Sequence, residues 1–134
     1  DAALQHYKKA LSLQNDFVAA HFSLGRVYEK KGDMRQALKY FLEAVRQDAT
    51  YEASLVNRGK LLGSSGRTDD AIMVFEQVLA VSSDPRVKAV THVNLAIAYY
   101  YRRAYHKAIM HADRATALGG MVDPGLLQRL ETYR

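Results

Sequence analysis

Small and aromatic residues recur along this chain at a fixed interval. Gly25 and Gly59 are 34 residues apart, and so are Phe41 and Phe75. A repeat of this length indicates a stack of supersecondary units, each of which buries an apolar face against the next unit. Between Gly59 and Ala96 the interval is 37 residues. Because the three added residues are close to one helical turn, the following unit keeps roughly the same buried face.

Turn and capping signals divide each unit into two helices. Asp84-Pro85 and Asp123-Pro124 each place a carboxylate that can cap a helix before a proline in the first helical position. Glycines such as Gly32 and Gly66 indicate helix ends. The predicted helices cover residues 1–14, 17–31, 34–47, 52–64, 68–81, 85–102, 105–118 and 124–133.

Packing between these helices must provide most of their stability, because an isolated helix of about 13 residues is marginal in water. We predict that Gly25, Gly59 and Ala96 let the two helices of a pair approach each other closely. Phe41 and Phe75 are predicted to fill the remaining space.

Composition excludes several kinds of chemistry. The chain has no cysteine, so it forms no disulfide, thiolate metal site or cysteine nucleophile. No apolar run approaches the about 20 residues of a membrane-spanning helix, and the first residues have neither a basic start nor the apolar core of a signal peptide, so we expect a soluble chain. The 19 basic and 14 acidic residues give a net charge of +5, which raises the question of a nucleic acid partner.

The residues of one unit resemble a known signature. A leucine before a small residue (Leu24-Gly25), a tyrosine at Tyr28, and an alanine with a following aromatic residue (Ala37 and Phe41) are similar to the tetratricopeptide repeat (TPR) family at its usual period. Three residues stand where that signature has a tryptophan: His21, Leu55 and His92. The resemblance implies an all-α, right-handed superhelical stack of antiparallel helix pairs, with about three repeats and a C-terminal capping helix. The first helix of each pair would line a concave surface.

The domain organisation follows from this register. We expect residues 1–134 to form a single TPR domain that is a fragment of a longer array. Residues 1–16 would be the second helix of an incomplete repeat, residues 17–50, 51–84 and 85–120 the repeats, and residues 121–134 the capping helix. Leu4, Tyr7, Ala10 and Leu11 then form an apolar stripe at the N-terminal edge, through which self-association is possible.

A second stripe on the first helices is predicted to face the hollow of the stack. The predicted peptide-binding groove consists of Phe22, Arg26, Lys30, Val56, Asn57, Lys60, Val93, Asn94, Ile97 and Tyr101. Asn57 and Asn94 resemble the asparagines with which some family members hold a peptide backbone, because an amide donates and accepts at once. The competing interpretation is that curvature or neighbouring helices bury these side chains. Phe22 and Val90 replace lysines used by members that recognise chaperone tails, so that specific function is not expected.

No constellation of residues predicts catalysis, a cofactor or a metal site. The five histidines include no pair at the one-turn spacing of a helical metal site, and packing is the preferred interpretation of His21 and His92. We therefore predict a non-enzymatic interaction module, a scaffold or assembly factor that binds another protein or a peptide segment. The alternative is a nucleic-acid-binding helical repeat protein that uses Arg102, Arg103 and Lys107 beside Tyr101 and Tyr105.

Overall fold

The computed structural model describes residues 1–13 and 18–134, with side chains for residues 1–9 and 18–134. This part of the chain contains eight α-helices and no strand, which confirms the all-α class. The helices are α1 (Ala2–Leu13), α2 (Val18–Lys30), α3 (Met34–Gln47), α4 (Tyr51–Ser64), α5 (Thr68–Val81), α6 (Pro85–Tyr101), α7 (Tyr105–Ala117) and α8 (Pro124–Glu131). The boundary predicted at residue 16 lies outside the described residues.

The chain divides into two compact units, Asp1–Tyr51 and Glu52–Arg134. In the first unit α1 and α3 both pack against α2, and Leu4 and Tyr7 of α1 are half-buried. The side chains of Ala10 and Leu11, which were predicted to extend this stripe, lie outside the described residues. In the second unit α6 contacts α5 and α7, and α8 packs on α7. None of the described helices is both long and apolar enough to cross a membrane.

Close contacts between a glycine and a phenylalanine hold two of the helix pairs together. A Cβ atom added to Gly25 would lie 2.6 Å from the ring of Phe41, and one added to Gly59 would lie 2.5 Å from the ring of Phe75. Both rings are buried, so these positions require glycine, as the sequence predicted. The third pair has Ala96 opposite a residue without a ring, Ala112, and both are fully buried.

Aromatic stacking recurs at equivalent positions of the first and third pairs. The rings of Tyr28 and Tyr40 stack at 5.5 Å with an interplanar angle of 1°, and those of Tyr99 and His111 stack at 5.5 Å and 7°. His111 in turn contacts His92. In the third pair these three polar rings are buried in a core that has Ala112 where the first pair has Phe41.

Capping side chains begin several helices where the sequence predicted them. The Asp84 carboxylate accepts the backbone N–H of Arg86 at 2.9 Å, and Asp123 accepts that of Leu126 at 3.1 Å. In both helices the following proline occupies the first turn. These two caps therefore fix where α6 and α8 start.

Candidate functional site

Three predicted groove residues belong to the first unit. Arg26 and Lys30 are exposed and line a small cavity of about 240 Å³ beside Tyr7. Phe22 is only 8% exposed, and its ring packs on those of Phe41 and Tyr51 at 4.7 and 5.3 Å. The assignment of Phe22 to an open surface is therefore corrected: the aromatic contacts draw this side chain into the core of the α2–α3 hairpin.

Two open cavities lie side by side in the second unit. The first, of about 390 Å³, is lined by Lys60, Asn94, Ile97 and Tyr101 together with small residues of α4 and α5 such as Gly63. The second, of about 610 Å³, shares Lys60, Asn94 and Ile97 with the first and adds five larger side chains: Arg86, Val90, Val93, Leu118 and Met121. Because they share these three residues, the two cavities form one surface depression, which we call the trough.

The trough does not include every residue that the sequence predicted. Val93 lines the second cavity, so five of the predicted residues come together there. Val56 is 5% exposed and lies in the core of the unit, which corrects its assignment to the open surface. Asn57 is exposed but lines neither cavity.

The amide of Asn94 is partly engaged within its own helix. Its Nδ2 donates to the carbonyl oxygen of Val90 at 2.9 Å, one turn earlier in α6. This bond orients the side chain at the trough. The amide oxygen and the second N–H then remain as the groups with which Asn94 could contact a ligand.

Apolar side chains at the end of the trough come from a segment whose sequence was interpreted only as a helix stop. Leu118 and Met121 flank Gly119-Gly120, and they are 42% and 91% exposed. A Cβ atom on Gly120 would lie 3.3 Å from the Cβ of Ala89, so the glycine lets this segment pass close to α6. Two exposed apolar residues beside paired glycines are the sequence signal that could have identified this wall.

The electrostatic character of the trough is positive. Lys60 and Arg86 are the charged residues among those that line the two cavities, and no acidic side chain lines either one. Half-exposed apolar side chains lie between them, including Val90 at 49% and Ile97 at 38%. Such a surface suits a segment that carries both apolar and acidic groups.

One arginine of the basic group that favoured a nucleic acid interface is paired with a carboxylate. Arg102 Nε lies 3.0 Å from Asp69 Oδ1. Lys107 Nζ lies 5.3 Å from the centre of the Tyr99 ring, a cation–π distance. Arg103, unlike Arg102, has no carboxylate within salt-bridge distance among the described residues.

A polar cluster lies between α6 and α7 and extends to Glu76 of α5. Nδ1 of His92 is 2.9 Å from Nδ1 of His111, and the Tyr99 hydroxyl donates to Glu76 at 2.8 Å. Burial lowers the pKa of His111 to about 4, and burial and the positive charge of Arg114 lower the pKa of His92. Burial and the bond to Glu76 raise the pKa of Tyr99 to about 12. Within the described residues, no three histidine or acidic side chains are grouped so that they could hold a metal ion.

Comparisons with known proteins address the fold and the family. No curated protein sequence matches the chain at a significant level. Among solved structures, the crystal structure of MamA protein superposes with a TM-score of 0.52 at 17% identity, covering 86% of this chain and 61% of that chain. This chain therefore spans less than two thirds of that protein, and the likeness concerns the fold alone.

Family models match the first two thirds of the sequence. A model described as TPR repeat matches residues 1–32, and two models described as tetratricopeptide repeat match residues 18–51 and 53–85. The second and third of these matches fall on the helix pairs with close glycine–phenylalanine contacts. The chain therefore belongs to the tetratricopeptide repeat family and is a protein–protein interaction module.

Proposed function

We propose that the trough of the second unit binds a segment of a partner protein, so that the chain acts as a scaffold or assembly factor. The observation that carries this proposal is the grouping of exposed apolar side chains, Val90, Ile97 and Tyr101, beside Lys60 and the oriented amide of Asn94. Solvent-exposed apolar surface in a concave depression is stabilised when a ligand covers it.

Each part of the trough supports a different contact in this proposal. Val90 and Ile97 would cover apolar side chains of the segment, and Tyr101, which is 73% exposed, would add a large aromatic surface. The amide of Asn94 would pair with a backbone peptide group, and Lys60 would attract a carboxylate. The segment would therefore be short, extended, and rich in apolar and acidic residues.

The experiment begins with affinity capture of partners by the 134-residue chain, followed by anisotropy titration of labelled peptides taken from the captured protein. We expect Ile97→Ala and Tyr101→Ala each to weaken peptide binding by about fivefold or more. Both side chains are exposed, so the thermal midpoint should change little.

The matched control is Leu61→Ala. Leu61 is 58% exposed on α4 and lines neither cavity, so its truncation should leave affinity within about twofold. Equal losses for Leu61→Ala and Ile97→Ala would reject the trough as the binding site.

A further inference from the structure

The turns within the three helix pairs share one hydrogen-bond pattern, but one of them carries an arginine in place of glycine. The backbone N–H of Gly32 donates to Glu29, that of Gly66 to Gly63, and that of Arg103 to Tyr100. All three residues have positive φ, at 82°, 85° and 61°. A β-carbon is disfavoured in this left-handed region, so Arg103 occupies a position at which the chain elsewhere uses glycine.

Two further features of the sequence at the start of α7 are also unfavourable for helix stability. In α3 the Asp33 carboxylate accepts the N–H of Gln36, whereas α7 follows Ala104, which has no capping side chain. The first turn of α7 has no acidic residue and instead carries His106 and Lys107. Positive charge is unfavourable at this end of a helix dipole. The start of α5 after Arg67 also lacks a side-chain cap, so Arg103 is the residue that distinguishes this turn, and a strained residue of this kind suggests a role other than stability.

These residues line one small cavity. Arg103, His106 and Lys107 surround a depression of about 280 Å³ together with Ala104, Tyr105 and Tyr133, and we call it the Arg103 pocket. The Tyr105 and Tyr133 rings stack at 3.7 Å with an angle of 8° and form its aromatic wall. No acidic residue lines the pocket. Nearby carboxylates are engaged elsewhere, since Asp69 pairs with Arg102, and Asp113 pairs with Arg134.

We propose that the Arg103 pocket is a second interaction surface, distinct from the trough, that binds an acidic segment of a protein partner. Arg103 and Lys107 supply the charge complementarity, and a glutamate or aspartate side chain of the partner is the group they would contact. A polypeptide suits the pocket better than a nucleic acid. Base binding requires aromatic ring faces on which the bases can stack, whereas these two tyrosine rings stack on each other. In addition, Arg102 is already paired with Asp69.

The test uses the whole 134-residue chain and three probes. A fluorescein-labelled glutamate-rich peptide is the positive probe, its glutamine-rich counterpart is the uncharged control, and single-stranded oligo(dT) is the nucleic acid probe. We expect the glutamate-rich peptide to bind more tightly than the other two. Arg103→Gly should weaken its binding by about tenfold while raising the thermal midpoint of the protein, because glycine relieves the left-handed backbone.

Arg35→Gln provides the charge-matched control. Arg35 is an exposed cation in the first turn of α3, so this variant loses the same charge away from the pocket and should change affinity by less than about twofold. Lys107→Gln should weaken binding as Arg103→Gly does. The proposal is overturned if Arg35→Gln and Arg103→Gly lose affinity equally, if the glutamate-rich peptide does not bind, or if oligo(dT) binds more tightly with the same dependence on Arg103.

Discussion

Nδ1 of His92 and Nδ1 of His111 lie 2.9 Å apart in the interior of the α6–α7 hairpin, where the two residues are 7% and 3% exposed. One ring must donate its Nδ1–H to the Nδ1 lone pair of the other, so a single proton lies between the two nitrogens. Protonation of both rings would place two N–H groups face to face without water. The contact is therefore incompatible with two imidazolium rings, and burial disfavours even one.

This contact predicts that acid destabilises the protein. The pKa of His111 is lowered to about 4 and that of His92 is also lowered, chiefly by burial. The unfolded chain then binds more protons than the folded chain below about pH 6.5, the ordinary histidine pKa. The stability contribution is fully present above that pH and is lost as the pH falls toward about 4. We expect a loss of about 2 kcal/mol in the free energy of unfolding, after allowance for solvent screening.

Urea denaturation at a series of pH values measures this dependence. The control combines His92→Leu with His111→Val, which copies Leu55 and Val74 at the equivalent positions of the preceding pair. This variant should lack most of the pH dependence that the parent shows between about pH 6.5 and pH 4. Identical slopes for the parent and the variant would show that other groups cause the acid sensitivity.

Gly59→Ala should destabilise the protein. The added Cβ would lie 2.5 Å from the ring of Phe75, which is 3% exposed, so the ring would have to shift. We expect a cost of about 1 to 3 kcal/mol in thermal or urea unfolding. Gly63→Ala, four residues later in the same helix, is the control. A Cβ atom added to Gly63 would lie 3.8 Å from the Cβ of Ala71, which is an ordinary contact. The gain in helix propensity should therefore raise the free energy of unfolding by about 0.5 kcal/mol.

Ser82→Ala should destabilise the protein, because it removes a hydrogen-bond donor from a buried carboxylate. The Ser82 hydroxyl donates to Glu52 at 2.7 Å, and both residues are buried. Removing the donor leaves a carboxylate oxygen without its partner, so we expect a loss of about 1 to 3 kcal/mol. Ser83→Ala removes an exposed neighbouring hydroxyl and should change the free energy of unfolding by less than about 0.5 kcal/mol. Equal effects would mean that the Ser82–Glu52 bond contributes nothing measurable.

Arg103→Gly and Gly66→Arg should have opposite effects on stability. Both residues have positive φ in turns with the same hydrogen bonds. Replacing Arg103, which has a positive φ, by glycine should raise the free energy of unfolding by about 1 kcal/mol. Placing arginine at Gly66 should lower it by about as much. Differential scanning calorimetry of the two variants provides the measurement. A destabilised Arg103→Gly protein would mean that the arginine side chain itself holds the turn.

The candidate site was only partly predictable because helical spacing indicates on which face of a helix a residue lies, but not how deeply its side chain is buried. Lys60, Ile97 and Tyr101 were predicted from spacing, and they line one cavity together with Asn94, which was predicted from the family resemblance. Phe22 belongs to the same predicted stripe, yet contacts with two aromatic rings bury it. Met121 was missed because Gly119-Gly120 were interpreted only as a helix stop, and its place in the trough depends on how the segment after α7 passes α6.

The sequence by itself determined the family, the all-α class and the helix boundaries, since glycine, aspartate and proline act within a few residues of their own positions. Paired glycines and phenylalanines likewise revealed which helices approach closely. Only the tertiary structure decided that His92 and His111 share one proton-dependent contact, and that Arg103 and Tyr133 line one pocket. These residues lie far apart along the chain or on different helices, so their distances depend on packing geometry rather than on periodicity.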